Sequence, residues 1–190
     1  MVSAQQLKAI MPFATMGKIT VFLDYLNATM DEFFINTRMR KAAFLAQLAH
    51  ESGQFNYVEE IASGAAYDDR ADLGNTKGEA VALAELASTS PGRYFKGRGL
   101  IQITGYANYK ACSWGLLNSR TLLDKPELLK TPELACRSAG WFWNEHELNT
   151  LADQGKFEKI TRVINGGLTH IQQRRAFYAK ALLVLPKDMP

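Results

Sequence analysis

The sequence contains only two cysteines among its 190 residues, Cys112 and Cys136, too few for a disulfide-rich scaffold. Both lie in helix-like settings, where either two buried free thiols in a reducing cytosol or one disulfide would fit. Long apolar runs are also lacking, because the stretch over residues 181–185 is far shorter than the about 20 residues of a membrane-spanning helix. Residues 1–8 have no charged start followed by an apolar core, so we expect no secretory signal and no stable membrane insertion.

A large excess of charge of one sign is absent as well. The chain has 22 lysines and arginines against 19 acidic residues, a net charge of +3. This net charge is too small to form the dense basic surface of a nucleic-acid-binding protein, so we expect no nucleic-acid partner. The mild positive charge suits an anionic partner such as a bacterial cell-wall polymer. With 47% hydrophobic residues, the composition is that of a soluble globular protein that can bury a core.

The residue spacings of common metal and phosphate sites are missing too. A zinc-protease helix needs a second histidine four residues after the histidine of its His-Glu pair, but Gln54 and Thr150 occupy those positions. The glycine-rich run that begins at Gly92 lacks the Lys-Ser/Thr pair of a phosphate loop. Three aspartates lack the alternate spacing of a calcium loop: Asp68, Asp69 and Asp72. We therefore expect neither a metal ion nor a cofactor.

Apolar residues recur at helical spacing through most of the chain, which predicts a mainly α fold. One predicted helix ends at Glu51 and is capped by Asn36 or Thr37. The other predicted helices cover residues 3–11, 17–29, 77–86, 108–114, 132–144, 157–164 and 171–185. A loop is predicted over residues 61–76, a turn over 88–92 and a short strand over 97–105. Since no linker divides the chain, we predict one domain over residues 1–190. An alternative is that residues from about 76 to 92 form a small helical lobe of this domain.

Glu51 continues an apolar helical stripe with Phe44 and Leu48 instead of interrupting it. Burial disfavours the charged carboxylate, and so does the partial negative charge of a helix C-terminus just before Gly53. The position therefore favours a carboxyl group that holds a proton near neutral pH, as a glycosidase needs to protonate a departing sugar oxygen. The alternative is a helix-end glutamate that caps a loop or pairs with an arginine.

Two further polar features follow apolar segments. Glu60 is a second carboxylate soon after Glu51, and an inverting hydrolase needs a separate base about 6.5–9.5 Å from its acid. The alternative is a solvated surface charge. The Asn-Gly-Gly run that begins at Asn165 is either an ordinary turn or a substrate-binding loop that a ligand can approach closely.

Five segments together resemble glycoside hydrolase family 19. They are His-Glu-Ser-Gly-Gln-Phe at 50–55, Tyr67 with Arg-Ala-Asp-Leu-Gly-Asn at 70–75, Arg-Tyr-Phe-Lys-Gly-Arg-Gly-Leu-Ile-Gln-Ile-Thr-Gly at 93–105, Ser-Ala-Gly-Trp-Phe-Trp at 138–143 and Ile-Asn-Gly-Gly at 164–167. The chain looks most like the phage and prophage endolysin branch, which is related to plant chitinases, over residues 38–180. The resemblance implies a mainly α, lysozyme-like catalytic domain of the family 19 chitinase type with a very small β element near the active site.

The resemblance also implies roles for individual residues of this chain. Glu51 matches the general acid and Glu60 the general base, with the adjacent Glu59 as the other choice for the base. Thr104 matches a residue that helps to hold the attacking water. Residues that match sugar-contacting, water-positioning or supporting positions are His50, Gln102, Asn108, Asn165 and Arg174, the last as a brace for the catalytic carboxylates.

This sequence departs from the family pattern in three places. Residues 76–92 contain a helical segment where many relatives have a short turn. Tyr106 stands where an arginine is frequent, and Gln173 stands where an acidic residue is common. We expect the first departure either to reshape the substrate groove or to form a small lobe that grips the wall polymer, and the other two to alter the interactions of Arg174.

From these residues we predict an endolysin that hydrolyses the β-1,4 bond between N-acetylmuramic acid and N-acetylglucosamine in peptidoglycan. Its inverting mechanism would use Glu51 as acid and Glu60 as base. The alternatives are a chitinase, a lytic transglycosylase and a wall-binding protein without turnover. By resemblance, we expect a monomer that is made in the host cytoplasm and acts on the periplasmic cell wall after a separate protein has permeabilised the membrane.

Overall fold

In a computed structural model, the chain is described over residues 1–187 and is mostly helical, in agreement with the predicted mainly α fold. The last three residues of the predicted domain, 188–190, lie outside the described part. The α-helices of the described part are α1 (Ala4–Ile10), α2 (Met16–Glu32), α3 (Arg38–Glu51), α4 (Gly78–Leu86), α5 (Pro91–Tyr94), α6 (Tyr106–Leu117), α7 (Thr121–Asp124), α8 (Pro132–Glu145), α9 (Leu148–Asp153), α10 (Phe157–Asn165) and α11 (Ile171–Val184). Short 3-10 turns cover Ala65–Tyr67, Ala71–Leu73 and Pro126–Lys130.

Helix α3 runs through the centre of the fold. Its residues 42–49 are all buried, because α11, α1 and α9 pack around it. A helix that is enclosed on every side needs a nearly continuous apolar sequence, and the run from Ala42 to Ala49 has one polar exception, Gln47. Thr37 caps the helix by accepting a hydrogen bond from the Arg40 backbone N–H at 3.3 Å. The structure thus selects Thr37 from the two predicted caps.

Helices α2 and α8 form the other main contact of the core. Gly140 on α8 faces the side chains of Phe33 and Thr29, and a Cβ atom at this position would overlap both of them. Trp143 and Phe44 of α3 pack in a T-shaped arrangement, with ring centroids 5.2 Å apart. These contacts join α2, α3 and α8 into one apolar core.

The predicted strand over residues 97–105 is wrong as a regular element. Within the described residues, two isolated antiparallel bridges form instead, Glu59 with Arg98 and Arg98 with Ile103. Gly99 and Gln102 have φ angles of +83° and +59°, so the chain folds back on itself before a strand can extend. The predicted alternation is correct, since Ile101 and Ile103 are buried, and the β element is very small, as expected.

Other short elements differ from the sequence prediction. The turn predicted over residues 88–92 ends inside α5, where Pro91 occupies the first helical position. Helices α7 and α9 were not predicted, because four to six residues carry little periodic signal. In the segment 76–92, α4 contributes Ala80 to the main core.

Both cysteines are free and buried, which answers the question that the sequence left open. Burial raises the pKa of the Cys112 thiol to about 12 and also raises that of Cys136. Neither thiol is therefore a reactive thiolate at neutral pH. Within residues 1–187, no helix combines the length and the apolar character that crossing a bilayer requires.

Candidate active site

Glu51 is the last residue of α3, and its side chain is 19% exposed. Phe44 and Leu48, which precede it on the same face, are fully buried. The carboxyl group therefore continues the buried face of the helix and only partly reaches solvent, as the sequence pattern predicts.

The chain turns sharply directly after this helix. Gly53, Gln54 and Phe55 have φ angles of +54°, +60° and +65°, and a left-handed conformation costs about 1–2 kcal/mol at each non-glycine residue. The Gln54 side-chain oxygen accepts a hydrogen bond from the Phe13 backbone N–H at 2.9 Å, and the Phe55 N–H donates to the Ser52 hydroxyl at 2.9 Å. These contacts hold a strained turn next to Glu51, which fixes the point where α3 ends.

Arg174 lies against Glu51 in the interior of the protein. Its guanidinium Nη2 is 2.5 Å from Glu51 Oε1, and the arginine side chain is 1% exposed. The contact is an ion pair without hydrogen-bond alignment, because Glu51 Oε1 has no partner with hydrogen-bond geometry. Arg174 therefore places a buried positive charge directly against the Glu51 carboxyl group, a position from which it can brace that group.

Glu60 lies in a different environment. Its Oε1 accepts a hydrogen bond from the Gly97 backbone N–H at 3.0 Å, and its Oε2 accepts one from the Tyr67 hydroxyl at 3.0 Å. Burial, followed by this bond to the Glu60 carboxylate, raises the pKa of Tyr67. Both donors are neutral, so the Glu60 carboxylate is held in place without being neutralised by a bonded cation.

The neighbouring Glu59 is surrounded by cations. Arg98 contacts Glu59 Oε1 at 2.9 Å, and Lys96 and Lys130 approach its carboxylate at 3.6 Å each. Burial opposes ionisation of Glu59, but the hydrogen bond and charge of Arg98, together with the lysines, lower its pKa overall. Glu59 is therefore held as an anion in an ion-pair network, whereas the side-chain carboxylate of Glu60 is bonded to neutral donors.

Gly97 connects Glu60 to two other predicted site residues. A Cβ atom at Gly97 would lie 2.9 Å from Gln102 Oε1 and 3.1 Å from the Thr104 hydroxyl oxygen. Because Gly97 has no side chain, both polar groups lie close to the backbone amide that binds Glu60. The Thr104 hydroxyl donates to the Gln102 carbonyl at 2.9 Å, and Asn108 Nδ2 donates to the Thr104 carbonyl at 2.8 Å. The structure thereby brings Glu60, Gln102, Thr104 and Asn108 together.

His50 supports the Glu51 side of the site. Its Nδ1 is 2.6 Å from Gln173 Oε1, and its ring centroid is 5.4 Å from that of His170. Burial first, and then the charge of Arg174, lower the pKa of His50, so this imidazole is neutral at pH 7. Asn165 is the last residue of α10 and is exposed beside Gly166 and Gly167, where there is open space around the backbone.

The sequence prediction missed two side chains that touch the proposed carboxylates or their brace. Tyr67 donates to Glu60, although only its place in a matching segment drew attention to it. Gln47 accepts a hydrogen bond from Arg174 Nη1 at 2.5 Å and is fully buried. A polar residue inside an otherwise apolar run, four residues before Glu51, is a signal that could have identified Gln47.

The surroundings of the site contain no cluster of metal ligands. Among residues 1–187, no three His, Cys, Asp or Glu side chains converge as a metal site would require. A cavity of about 620 Å³ lies beside α2, where it is lined by Asp24, Asn27 and Asp31 among others and by none of the predicted site residues. The predicted site residues include two carboxyl groups in contrasting environments, Glu51 against Arg174 and Glu60 against neutral donors.

The chain is similar in sequence and in fold to known proteins. The family model described as chitinase class I matches residues 26–151. An endochitinase of Arabidopsis thaliana is 39% identical over 127 residues, which are 66% of this chain and 38% of the plant protein. A glycosyl hydrolase family 19 domain-containing protein of Haemophilus influenzae is 29% identical over 99% of this chain and 98% of its own length. The crystal structure of chitinase C from Streptomyces griseus superposes with a TM-score of 0.69 at 25% identity, over 98% of this chain and 77% of that one.

Proposed function

Since the chain belongs to glycoside hydrolase family 19, the family of the class I chitinases, we propose that it hydrolyses β-1,4-glycosidic bonds between N-acetylated sugars. The predicted family and its lysozyme-like, mainly α fold are confirmed. The chain spans less than half the length of the plant endochitinase that it matches, whereas it is nearly as long as the Haemophilus influenzae relative.

The pair of carboxyl groups carries the proposal. Glu51 is mostly buried at the end of α3, and its carboxyl group lies against the buried guanidinium of Arg174. Glu60 accepts hydrogen bonds from two neutral donors, the Tyr67 hydroxyl and the Gly97 amide. Two carboxyl groups whose environments differ in this way are suited to opposite roles in acid–base catalysis.

In the proposed reaction, Glu51 gives its proton to the glycosidic oxygen as the bond to the anomeric carbon breaks. Glu60 removes a proton from a water molecule, and that water attacks the opposite face of the sugar ring. Thr104 lies beside the Gly97 amide that binds Glu60, which is a suitable position for its hydroxyl to hold the water. A single displacement of this kind inverts the anomeric configuration.

As the substrate we propose the bond between N-acetylmuramic acid and N-acetylglucosamine in peptidoglycan. The net charge of +3 suits a glycan that carries carboxylates, and so does the local excess of positive charge around Glu59, where Arg98, Lys96 and Lys130 surround one carboxylate. Chitin is the second candidate, because relatives of this chain are named endochitinases and the Streptomyces griseus structure is a chitinase. Chitin is uncharged, so positive charge gives no advantage there.

We also propose, from the resemblance of its motifs, that the protein is a phage or prophage endolysin. It would then be made in the host cytoplasm and act as a monomer on the wall in the periplasm. A separate membrane-permeabilising protein would give it access. Host cells that express this chain alone should remain intact, and co-expression of a permeabilising protein should cause lysis. Lysis by this chain alone would contradict the need for such a partner.

Digestion of purified sacculi and of chitin oligomers tests the substrate. We expect muropeptides with new N-acetylmuramic acid reducing ends, at a rate at least tenfold above the release of sugar from chitin. Proton NMR of the first product should show the inverted anomer. Preferential cleavage of chitin would replace the peptidoglycan proposal with a chitinase, products lighter by one water would indicate a lytic transglycosylase, and binding without new reducing ends would indicate a wall-binding protein.

Paired substitutions at residues 59 and 60 test which glutamate is the base. Glu60→Gln should lower turnover by about 10²-fold or more, because the amide cannot take a proton from water. Glu59→Gln should keep most of the turnover but lower the free energy of unfolding by about 1–3 kcal/mol, because Arg98 loses its charged partner. Steady-state kinetics and urea unfolding measure the two effects. Loss of turnover in Glu59→Gln alone would assign the base to Glu59.

A further inference from the structure

Gln47 is a fully buried glutamine on α3, four residues before Glu51. Its side-chain oxygen accepts a hydrogen bond from Arg174 Nη1 at 2.5 Å, and its Nε2 donates to the Thr161 hydroxyl at 2.8 Å. The Thr161 hydroxyl in turn donates to the Phe157 carbonyl at 3.2 Å. A buried amide is stable in the core only when its polar atoms are bonded in this way.

The chemistry of arginine sets the orientation of this amide. A guanidinium group can only donate hydrogen bonds, so the atom of Gln47 that faces Arg174 must be its oxygen. The NH₂ group must then face Thr161, whose hydroxyl accepts this bond and donates to Phe157. The direction of each hydrogen bond from Arg174 through Gln47 and Thr161 to the Phe157 carbonyl is thereby determined.

Arg174 uses one guanidinium nitrogen for Gln47 and another for Glu51. Its remaining described contact is from Nε to the Thr169 carbonyl at 3.4 Å. The charged or titratable groups that face this region are Glu51 and His50 from α3 and His170 from the start of α11, and Glu51 is the acidic one among them. Gln173, beside Arg174, is neutral.

This arrangement has a consequence for the proton on Glu51. When Glu51 is neutral, the buried Arg174 cation lacks its acidic partner, and dipoles must stabilise it instead. The Gln47 oxygen is the nearest such dipole and keeps the guanidinium in the same place in both protonation states. We propose that Gln47 is a positioning residue, which anchors Arg174 and thereby sets how readily Glu51 binds the proton that the reaction uses.

This inference rests on the proposed function for its catalytic meaning, but its physical content can be tested without turnover. Gln47→Met keeps the volume of the side chain and removes the acceptor for Arg174. Gln47→Glu keeps an acceptor and adds a negative charge near Glu51. Thr161→Val is the matched control, since it breaks the same buried network without touching Arg174.

Carbon-13 NMR of the Glu51 carboxyl gives the direct measurement. We expect its titration midpoint to move to lower pH in Gln47→Met, because Arg174 then depends on the Glu51 charge alone. The midpoint should move to higher pH in Gln47→Glu, because a second anion opposes ionisation and gives Arg174 another partner. Thr161→Val should leave the midpoint where it is in the wild type. Equal midpoints in all four proteins would overturn the proposal.

Turnover supplies the second measurement. Gln47→Met should lower kcat by about tenfold with little change in KM, and the basic limb of its pH–rate profile should move in the same direction as the NMR midpoint. Gln47→Glu should move that limb the opposite way. Equal losses of kcat in Gln47→Met and Thr161→Val, with unmoved limbs, would mean that Gln47 only supports the fold. A wild type that cleaves neither polymer contradicts the proposed function, and the NMR midpoints still decide the role of Gln47.

Discussion

Glu51→Gln is expected to lower turnover by about 10³-fold or more, with little change in substrate binding. Glutamine has nearly the same size and can still lie against Arg174, so the helix end and the strained turn after it should persist. The amide cannot give a proton to the departing sugar oxygen. A turbidity assay on purified sacculi, followed by mass analysis of the soluble fragments, measures this loss.

His50→Gln is the matched control for this experiment. His50 precedes Glu51 on the same helix and contacts Gln173, but its burial lowers its pKa and leaves it neutral. We expect this variant to lose at most about tenfold in turnover, since a supporting hydrogen bond is disturbed and no proton donor is removed. Substantial lytic activity in Glu51→Gln would remove Glu51 as the general acid.

Arg174→Met should have the largest effect on stability. The substitution leaves the Glu51 carboxylate and the Gln47 oxygen without their charged partner inside the protein. Breaking a buried ion pair by removing one member costs about 3–5 kcal/mol. The Arg174 side chain of this pair is almost completely buried, so water cannot replace the lost partner easily. We expect the free energy of unfolding to fall by that amount in urea titrations. Turnover of the folded fraction should also fall, because Glu51 loses its brace.

Arg175→Met is the natural control for this prediction. Arg175 follows Arg174 in the chain, but its side chain is about half exposed and pairs with Glu158 at the surface. An exposed ion pair contributes about 0–1 kcal/mol, so we expect a small change in stability and unchanged turnover. Similar losses of stability in the two variants would show that the buried contact to Glu51 is not what stabilises α11 against α3.

The helices could be predicted wherever they were long and periodic. The predicted segment 132–144 is observed as Pro132–Glu145, and the predicted end of α3 at Glu51 is correct. Apolar spacing, a threonine cap and a following glycine are local signals, and local signals are sufficient for such helices. The strand over residues 97–105 failed because two residues with positive φ reverse the chain there, and alternation of side chains does not report φ.

In the candidate site, too, some features could be predicted from local sequence signals and others could not. Residue type and position predicted Glu51 and Glu60 as the carboxyl pair, but the sequence could not distinguish Glu60 from Glu59, which differ by one position. The tertiary structure shows that their environments differ, since Arg98 and Lys130 contact Glu59 while Tyr67 and the Gly97 amide contact Glu60.

The sequence by itself determined that this chain is a mainly helical member of its family, with a carboxyl group on the buried face at the end of a central helix. It predicted that burial and the helix dipole act on Glu51. Only the tertiary structure decided that the Arg174 guanidinium, which is hydrogen-bonded to Gln47, lies against the same carboxyl group. The physical reason is that helical periodicity places a side chain on a face, whereas its charge state depends on partners more than a hundred residues away in the chain.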